Sequence, residues 1–166
     1  MKIAVISDTH DNFFAIEKIV SFLKKEGISI FVHCGDIASK KSVQALAKSK
    51  AKGYYVYGNM DKEFSSLQIA IKDSGSEFLG SKGELVLDGK KIFIAHGNFA
   101  PEVEQAISSG EYDFVFSGHT HRKEARKVGN TMFVNPGAHN PLNTPEDSRT
   151  FAVVDLNSGE ARFVKA

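Results

Sequence analysis

Five apolar runs in this chain each end, within a few residues, in side chains that can bind a metal ion. Ile3-Ala4-Val5-Ile6 leads into Asp8-Thr9-His10, and Ile28-Ser29-Ile30-Phe31-Val32 into His33-Cys34-Gly35-Asp36. Tyr54-Tyr55-Val56-Tyr57 leads into Gly58-Asn59, Lys91-Ile92-Phe93-Ile94-Ala95 into His96, and Phe114-Val115-Phe116 into Gly118-His119-Thr120-His121. The runs have strand length and are rich in β-branched and aromatic residues. The first contains no polar residue, as in a strand buried on both faces. Open α/β sheets place their sites beyond the carboxyl ends of the strands. A single histidine after a strand is usually structural. Five strand ends offering ligands together require that the runs share one rim.

Helical patterns separate the first three runs. Phe13, Ile16, Ile19, Val20 and Leu23 fall on one face, with Asp11 or Asn12 as cap and Gly27 as stop. A second helix is expected to bury Val43, Leu46 and Ala47 and to end at Gly53. This strand–helix alternation predicts parallel strands with right-handed crossovers. Residues 62–80, with Phe64, Leu67, Ile69 and Ile71, fit a short helix or an irregular lid equally well. Asp88-Gly89 between two apolar runs predicts a hairpin. Pro101 suits the first turn of a helix that buries Val103, Ala106 and Ile107 and stops at Gly110. Met132-Phe133-Val134 is a further strand, followed by a polar, proline-containing loop at 140–149. Phe151–Leu156 and Ala161–Val164 form a closing hairpin around Asn157-Ser158-Gly159. Without an internal repeat or linker, residues 1–166 are expected to form one domain. Periodicity alone gives an α/β fold with a parallel core.

Composition narrows the function classes. The formal net charge of +1 supplies no strong electrostatic footprint for nucleic acid or an anionic membrane. Arg122, Lys123, Arg126 and Lys127 read as a solvated rim. Cys34 is the only cysteine, so neither an internal disulfide nor an all-thiolate zinc site can form, and it reads as a small buried residue. The first strand starts at Lys2, which leaves no room for a signal peptide, and no run approaches the ~20 apolar residues of a membrane helix. A cytoplasmic protein is expected.

The candidate ligands are carboxylates, imidazoles and one amide, a mixture suited to borderline or hard divalent ions. They outnumber the needs of one tetrahedral ion, so two ions are the economical reading. Asp8-Thr9-His10, Gly35-Asp36, Gly58-Asn59, His96-Gly97 and Gly118-His119-Thr120-His121, in that order from Lys2 to about Gly137, resemble the calcineurin-like metallophosphoesterases. Within that family the pattern is similar to the small single-domain phosphodiesterase branch. The resemblance implies a four-layer α-β-β-α sandwich of two mixed β-sheets flanked by helices. It also implies two divalent ions (Mn2+, Ni2+, Fe2+ or Zn2+). One would be held by Asp8, His10, Asp36 and His121, the other by Asp36, Asn59, His96 and His119, with Asp36 as bridge. Asp36, Asn59 and His96 are expected to act in catalysis on a small phosphodiester, through a hydroxide shared by the ions. Gly35, Gly58, Gly97 and Gly118 are expected to permit the turns that aim the ligands inward. Small members of such folds often pair, which allows a homodimer.

In one place the chain departs from the family pattern. Members often carry His directly after the Gly-Asn of the third strand, where it is thought to assist the leaving group; here the residue is Met60. A thioether can neither donate a proton nor carry charge at neutral pH. His139 is a candidate replacement, set against a plain exposed loop histidine as the favoured reading. His33 and Asp61 are expected to orient ligands rather than bind metal. Asn12 and Asn98 suit phosphate contacts and caps or turns equally. The alternative function is a scaffold of the same fold, similar to the metallophosphoesterase-like subunit of the retromer coat. The full set of ligands favours the enzyme.

Overall fold

The computed structural model describes residues 1–166. Strand β1 (Lys2–Ile6) alternates its side chains between two cores: Ile3 and Val5 enter one, Ala4 and Ile6 the other. This is why its sequence is apolar on both faces. Helix α1 (Phe13–Glu26) follows; Asn12 caps it by accepting from Ala15 N–H at 3.1 Å, and Gly27 ends it in the left-handed conformation. Phe13, expected on the buried face, is 42% exposed, because it stands at the helix's first position, beyond the reach of the sheet. Next come β2 (Ile30–His33), α2 (Lys40–Ala47) and β3 (Lys52–Tyr55). Gly53 is not the stop of α2. It lies inside β3, where a Cβ would overlap the Phe31 and Tyr55 rings.

Residues 62–80 form helix α3 (Phe64–Asp73) and a two-residue strand, β4 (Glu77–Phe78). Leu67, Ala70 and Ile71 secure the helix by packing into the core shared with α1 and α2. The hairpin of β5 (Lys82–Leu87) and β6 (Lys90–Ala95) turns at Asp88-Gly89, both with positive φ, as a tight primed turn requires. Helix α4 (Ala100–Ser109), with Pro101 in its first turn, precedes β7 (Phe114–Phe116), β8 (Glu124–Val128) and β9 (Thr131–Asn135). A short 3-10 turn at Glu146–Ser148 leads into the closing hairpin, β10 (Thr150–Asp155) and β11 (Ala161–Lys165).

The strands form two mixed sheets, ordered β11-β10-β1-β2-β3-β4 and β5-β6-β7-β9-β8. Strands β1, β2, β3 and β4 run parallel in the first sheet, and β6, β7 and β9 in the second. Between the sheets lies a core that includes Ile3, Val5, Val32, Ile94, Phe116 and Val154. Helices α1, α2 and α3 cover the outer face of the first sheet, and α4 covers the second through Val103, Ala106 and Ile107. The result is the α-β-β-α sandwich. Parallel strands end on the same side, so β1, β2 and β3 deliver their following loops to one end of the first sheet, and β6 and β7 do so for the second. No helix is long and apolar enough to cross a membrane.

Candidate metal centre

Asp8 and Asp36 are buried at the bottom of this rim, and the imidazoles stand around them. His121 Nε2 lies 3.1 Å from Asp8 Oδ1, and His10 Nε2 lies 3.7 Å from both Asp8 Oδ1 and Asp36 Oδ2. On the other side His96 Nε2 lies 3.5 Å from Asp36 Oδ2 and 3.1 Å from Asn59 Oδ1. Two sets of donor atoms converge closely enough to share an ion: Asp8, His10 and His121, and Asp8, Asp36 and His96. His119 is exposed, and its ring meets that of His96 edge-on at 5.1 Å. His119 thus stands at the centre without joining either converged set, Asn59 reaches it through Oδ1 beside His96 Nε2, and Asp8 belongs to both sets.

The residues behind these groups settle which atoms are free. Asp8 Oδ2 accepts from Ser7 Oγ at 2.5 Å and from His119 N–H at 3.0 Å, leaving Oδ1 without a hydrogen-bond donor. His10 Nε2, also buried, has no partner either. Asp36 Oδ1 accepts from Met60 N–H at 2.8 Å. His96 Nδ1 meets the Cys34 carbonyl at 2.8 Å, and a carbonyl can only accept, so neutral His96 carries its proton there. Its Nε2 lone pair then faces the Asp36 Oδ2 acceptor and the Asn59 side-chain amide. Buried lone pairs facing one another are costly unless a proton or a cation lies between them. The donor set therefore fits a divalent cation.

Electrostatics point the same way. Burial alone would push the Asp8 carboxyl up, but the nearby imidazoles of His10, His121 and His96 outweigh it and hold Asp8 well below the usual carboxylate range. Asp36 is likewise lowered, His96 outweighing the effect of burial. His96 and His121 are raised: Asp36 and Asp8 overcome burial at His96, and the adjacent Asp8 carboxylate leads at His121. Both carboxylates are ionised near neutral pH, as ligands must be.

The backbone at the rim is unusual. Asp8, His10, Asp36, His119 and His121 all have φ between 44° and 67°, in the left-handed region. Non-glycine residues there cost on the order of 1–2 kcal/mol each, and such strain clusters at functional sites. Gly35 and Gly97 also take positive φ, as expected, but Gly58 and Gly118 do not. They are required for space instead, since a Cβ would overlap Asp36 Oδ1 at Gly58 and Ser7 Oγ at Gly118.

The remaining expectations divide. Asp61 orients the site from behind: it accepts from Asp36 N–H and Gly58 N–H, both at 2.9 Å, and from Ala38 N–H at 2.8 Å. His33 is buried against Thr9 Oγ1 at 3.2 Å, with its Nδ1 accepting from Gly35 N–H at 3.3 Å. His139 is not an exposed loop histidine; it is 1% exposed, because its backbone N–H is tied to the Asp8 carbonyl at 2.9 Å. It does not line the cleft over the centre. Asn12 is a cap, and its amide also donates to the His139 carbonyl at 2.7 Å. Asn98 is exposed and outside the cleft. Cys34 is buried, as expected. The basic residues Arg122 to Lys127 reach into β8, where Arg126 pairs with Glu104 and Glu124 and the charged face is turned to solvent.

A cleft of about 380 Å3 opens over the centre, lined by His10, Asp36, Asn59, Met60, His119, Thr120, His121, Asn140 and Asn143. A larger cavity of about 690 Å3 lies between β5 and α4, but none of the candidate ligands lines it. The cleft brings in Thr120, Asn140 and Asn143, which carry no strand-end signal. Asn143 Oδ1 and Thr144 Oγ1 both approach His121 Nδ1, at 2.9 and 3.3 Å.

Fold and donor set together define an α/β sandwich with a metal-binding cleft at its strand ends. Residues 1–159 match the family profile described as the calcineurin-like phosphoesterase superfamily domain, and the chain belongs to that superfamily of enzymes. Phosphodiesterase MJ0936 of Methanocaldococcus jannaschii is 35% identical over 138 residues, covering 82% of this chain and 83% of the relative. Phosphodiesterase YfcE of Escherichia coli is 25% identical over 83% of this chain and 79% of its own. Among solved structures, an archaeal phosphodiesterase superposes with a TM-score of 0.90 at 31% identity over 99% of both chains. Vps29 of Entamoeba histolytica, complexed with Zn2+, has a TM-score of 0.65 at 19% identity over 100% of this chain and 98% of its own, a likeness of fold alone.

Proposed function

We propose that this protein hydrolyses small phosphodiesters, as one domain over residues 1–166, with two divalent cations held where β1, β2, β3, β6 and β7 end. The observation that carries the reading is the pair of buried ligand atoms left without a hydrogen-bond partner, Asp8 Oδ1 and His10 Nε2, 3.7 Å apart, with Asp36 Oδ2 3.7 Å from the same nitrogen. Asp8, His10, Asp36 and His121 are assigned to one cation, and Asp36, Asn59, His96 and His119 to the second. Asp36 suits a bridge because Met60 N–H occupies its Oδ1, leaving Oδ2 between His10 and His96 at 3.7 and 3.5 Å. Mn2+, Fe2+, Ni2+ and Zn2+ all suit this donor set.

Bound there, such cations would act as Lewis acids on the phosphoryl oxygens and lower the pKa of the attacking water from ~15.7 toward ~7. The chain supplies the rest. Asp8 and Asp36 remain ionised and set the charge of the site. Ser7, Met60 N–H and His119 N–H occupy the carboxylate oxygens turned away from the centre and fix the others in place. No serine, cysteine, lysine or arginine lines the cleft. Water activated by the cations is assigned as the nucleophile, and the charge on the substrate would be met by the cations and imidazoles. The relatives named phosphodiesterases support the diester substrate class.

The Vps29 likeness supports the scaffold reading only at the level of the fold. A scaffold has no use for buried, unpartnered ligand atoms or for strain at five ligand positions. The decisive assay is Mn2+-dependent hydrolysis of an activated aryl phosphodiester. Turnover is expected to vanish with a strong chelator and in Asp36→Ala, whose fold is checked by circular dichroism. A rate indifferent to the chelator would sink the proposal.

A further inference from the structure

The two histidines nearest the carboxylates are held from behind in different ways. His96 Nδ1 faces the Cys34 carbonyl at 2.8 Å, an oxygen that only accepts. His121 Nδ1 faces Asn143 Oδ1 at 2.9 Å and Thr144 Oγ1 at 3.3 Å. An amide turned about its last bond presents –NH2, and a hydroxyl both donates and accepts. These partners therefore accommodate a proton on either nitrogen of His121, whereas the Cys34 carbonyl accommodates it only on Nδ1 of His96. A cation at Nε2 needs that nitrogen's lone pair, hence the proton on Nδ1. His96 is fixed in the cation-ready tautomer, and His121 is free to leave it, with a proton on Nε2 occupying the space toward Asp8 Oδ1, 3.1 Å away.

We propose that Asn143 and Thr144 are positioning residues for His121, and that these two side chains help set the affinity of the cation position formed by Asp8, His10 and His121. The inference rests on the two-cation reading above. Its physical basis is the difference between a backbone carbonyl and two amphoteric side chains. The Cys34 carbonyl is fixed by the main chain beyond β2. Asn143 and Thr144 belong to the loop that connects β9 to β10, secured by Thr144 N–H to the Asn140 carbonyl at 3.1 Å and by Arg149 to the Pro141 carbonyl at 2.9 Å. Thr144 is buried, whereas Asn143 lines the cleft. The loop's side chains thus set how strongly one half of the centre holds its ion.

Titration of chelator-stripped protein with Mn2+, followed by calorimetry, tests this. Asn143→Leu, similar in size but without an acceptor, should weaken one of the two binding steps of wild type by about 10–100-fold and leave the other unchanged. Asn143→Asp can only accept, so it should match or exceed wild type. An Asn143→Leu titration identical to wild type, or one weakened equally at both steps, would overturn the inference. Failure of wild type to bind Mn2+ at all would overturn the two-cation reading itself. A second readout needs no metal. Nitrogen NMR of the stripped protein at alkaline pH, where both imidazoles are neutral, should find His96 in the Nδ1–H tautomer alone. His121 should populate both tautomers and move to Nδ1–H in Asn143→Asp. A single, unchanging His121 tautomer in both proteins would refute the assignment even if all variants fold normally.

Discussion

The residue that most separates this chain from the expected family pattern is Met60. Its side chain is 49% exposed and lines the cleft, while its backbone N–H holds Asp36 Oδ1. The backbone contact survives any substitution but proline, so the side chain can be changed without removing this hold on Asp36. General acid catalysis typically contributes ~10²–10⁴ in rate. Wild type should therefore turn over aryl diesters, whose leaving groups need no proton, far faster than alkyl diesters. Met60→His should raise the alkyl rate, by up to about 10²-fold, the low end of that range. Equal wild-type rates on the two substrates would show that no acid is missing. Gly58 is a second residue with a specific demand on it. A Cβ there overlaps Asp36 Oδ1, the same oxygen that Met60 N–H holds. Gly58→Ala should lose Mn2+ affinity and activity while circular dichroism remains that of wild type. Normal Mn2+ affinity would mean that the loop yields more readily than its packing suggests.

At the scale of elements, Asp61 ties the loop after β2 to the loop after β3. Its carboxylate accepts from Asp36, Ala38 and Gly58, so both loops hang on one side chain. Burial pushes this carboxyl up, against the pull of those N–H donors. Asp61→Asn sets an –NH2 against at least one backbone N–H in a buried position. It should destabilise the protein by about 1–3 kcal/mol, measured by urea unfolding, and weaken Mn2+ binding along with it. Elements with an apolar face were legible in the sequence: β1 with its unbroken run, α1 with its stripe and Gly27 stop, and the hairpin at Asp88-Gly89. Strand β8 was not. It is an edge strand with four of five residues exposed, paired to β9 on one side only, so it shows no alternation to read. Strand β4 is two residues long and exists because β3 offers it a partner. Gly53 was misread because a glycine required by neighbouring rings looks, in one dimension, like a glycine that ends a helix.

For the whole molecule, two buried histidines govern the acid side of the stability profile. Burial lowers His33 to about 3 and His139 to about 4. Between the folded and unfolded pKa values only the unfolded chain binds the proton, so stability falls as pH falls there. Stripped protein should lose about 1.4 kcal/mol per pH unit for each of these histidines between about 6.5 and about 4. Asp8 and Asp36, with lowered pKa values, add to the loss at lower pH. His96 and His121 act with the opposite sign. Their raised folded pKa values give a contribution that is complete below about 6.5 and disappears as pH rises through them. The stripped protein should therefore be most stable near pH ~6.5, and His139→Gln should reduce the steepness of the acid limb. A profile that rises steadily from acid to alkaline pH would contradict the raised imidazoles. Mn2+ at a hundred times its dissociation constant should add about 2.7 kcal/mol per site and move the optimum upward, since it takes the place of those protons.

The sequence by itself determined the strand ends and what they carry. Apolar runs must be buried, parallel strands must finish on one side, and the groups that follow them must therefore meet; Asp8, His10, Asp36, Asn59, His96, His119 and His121 follow from that logic alone. Only the tertiary structure decided which atoms of those groups are left free and what stands behind each ring. Those choices depend on backbone carbonyls, on N–H groups and on residues such as Asn143 and Thr144, from a loop with no periodicity of its own. Hydrogen bonds reach across about 3 Å of space regardless of separation along the chain, and no local pattern records them.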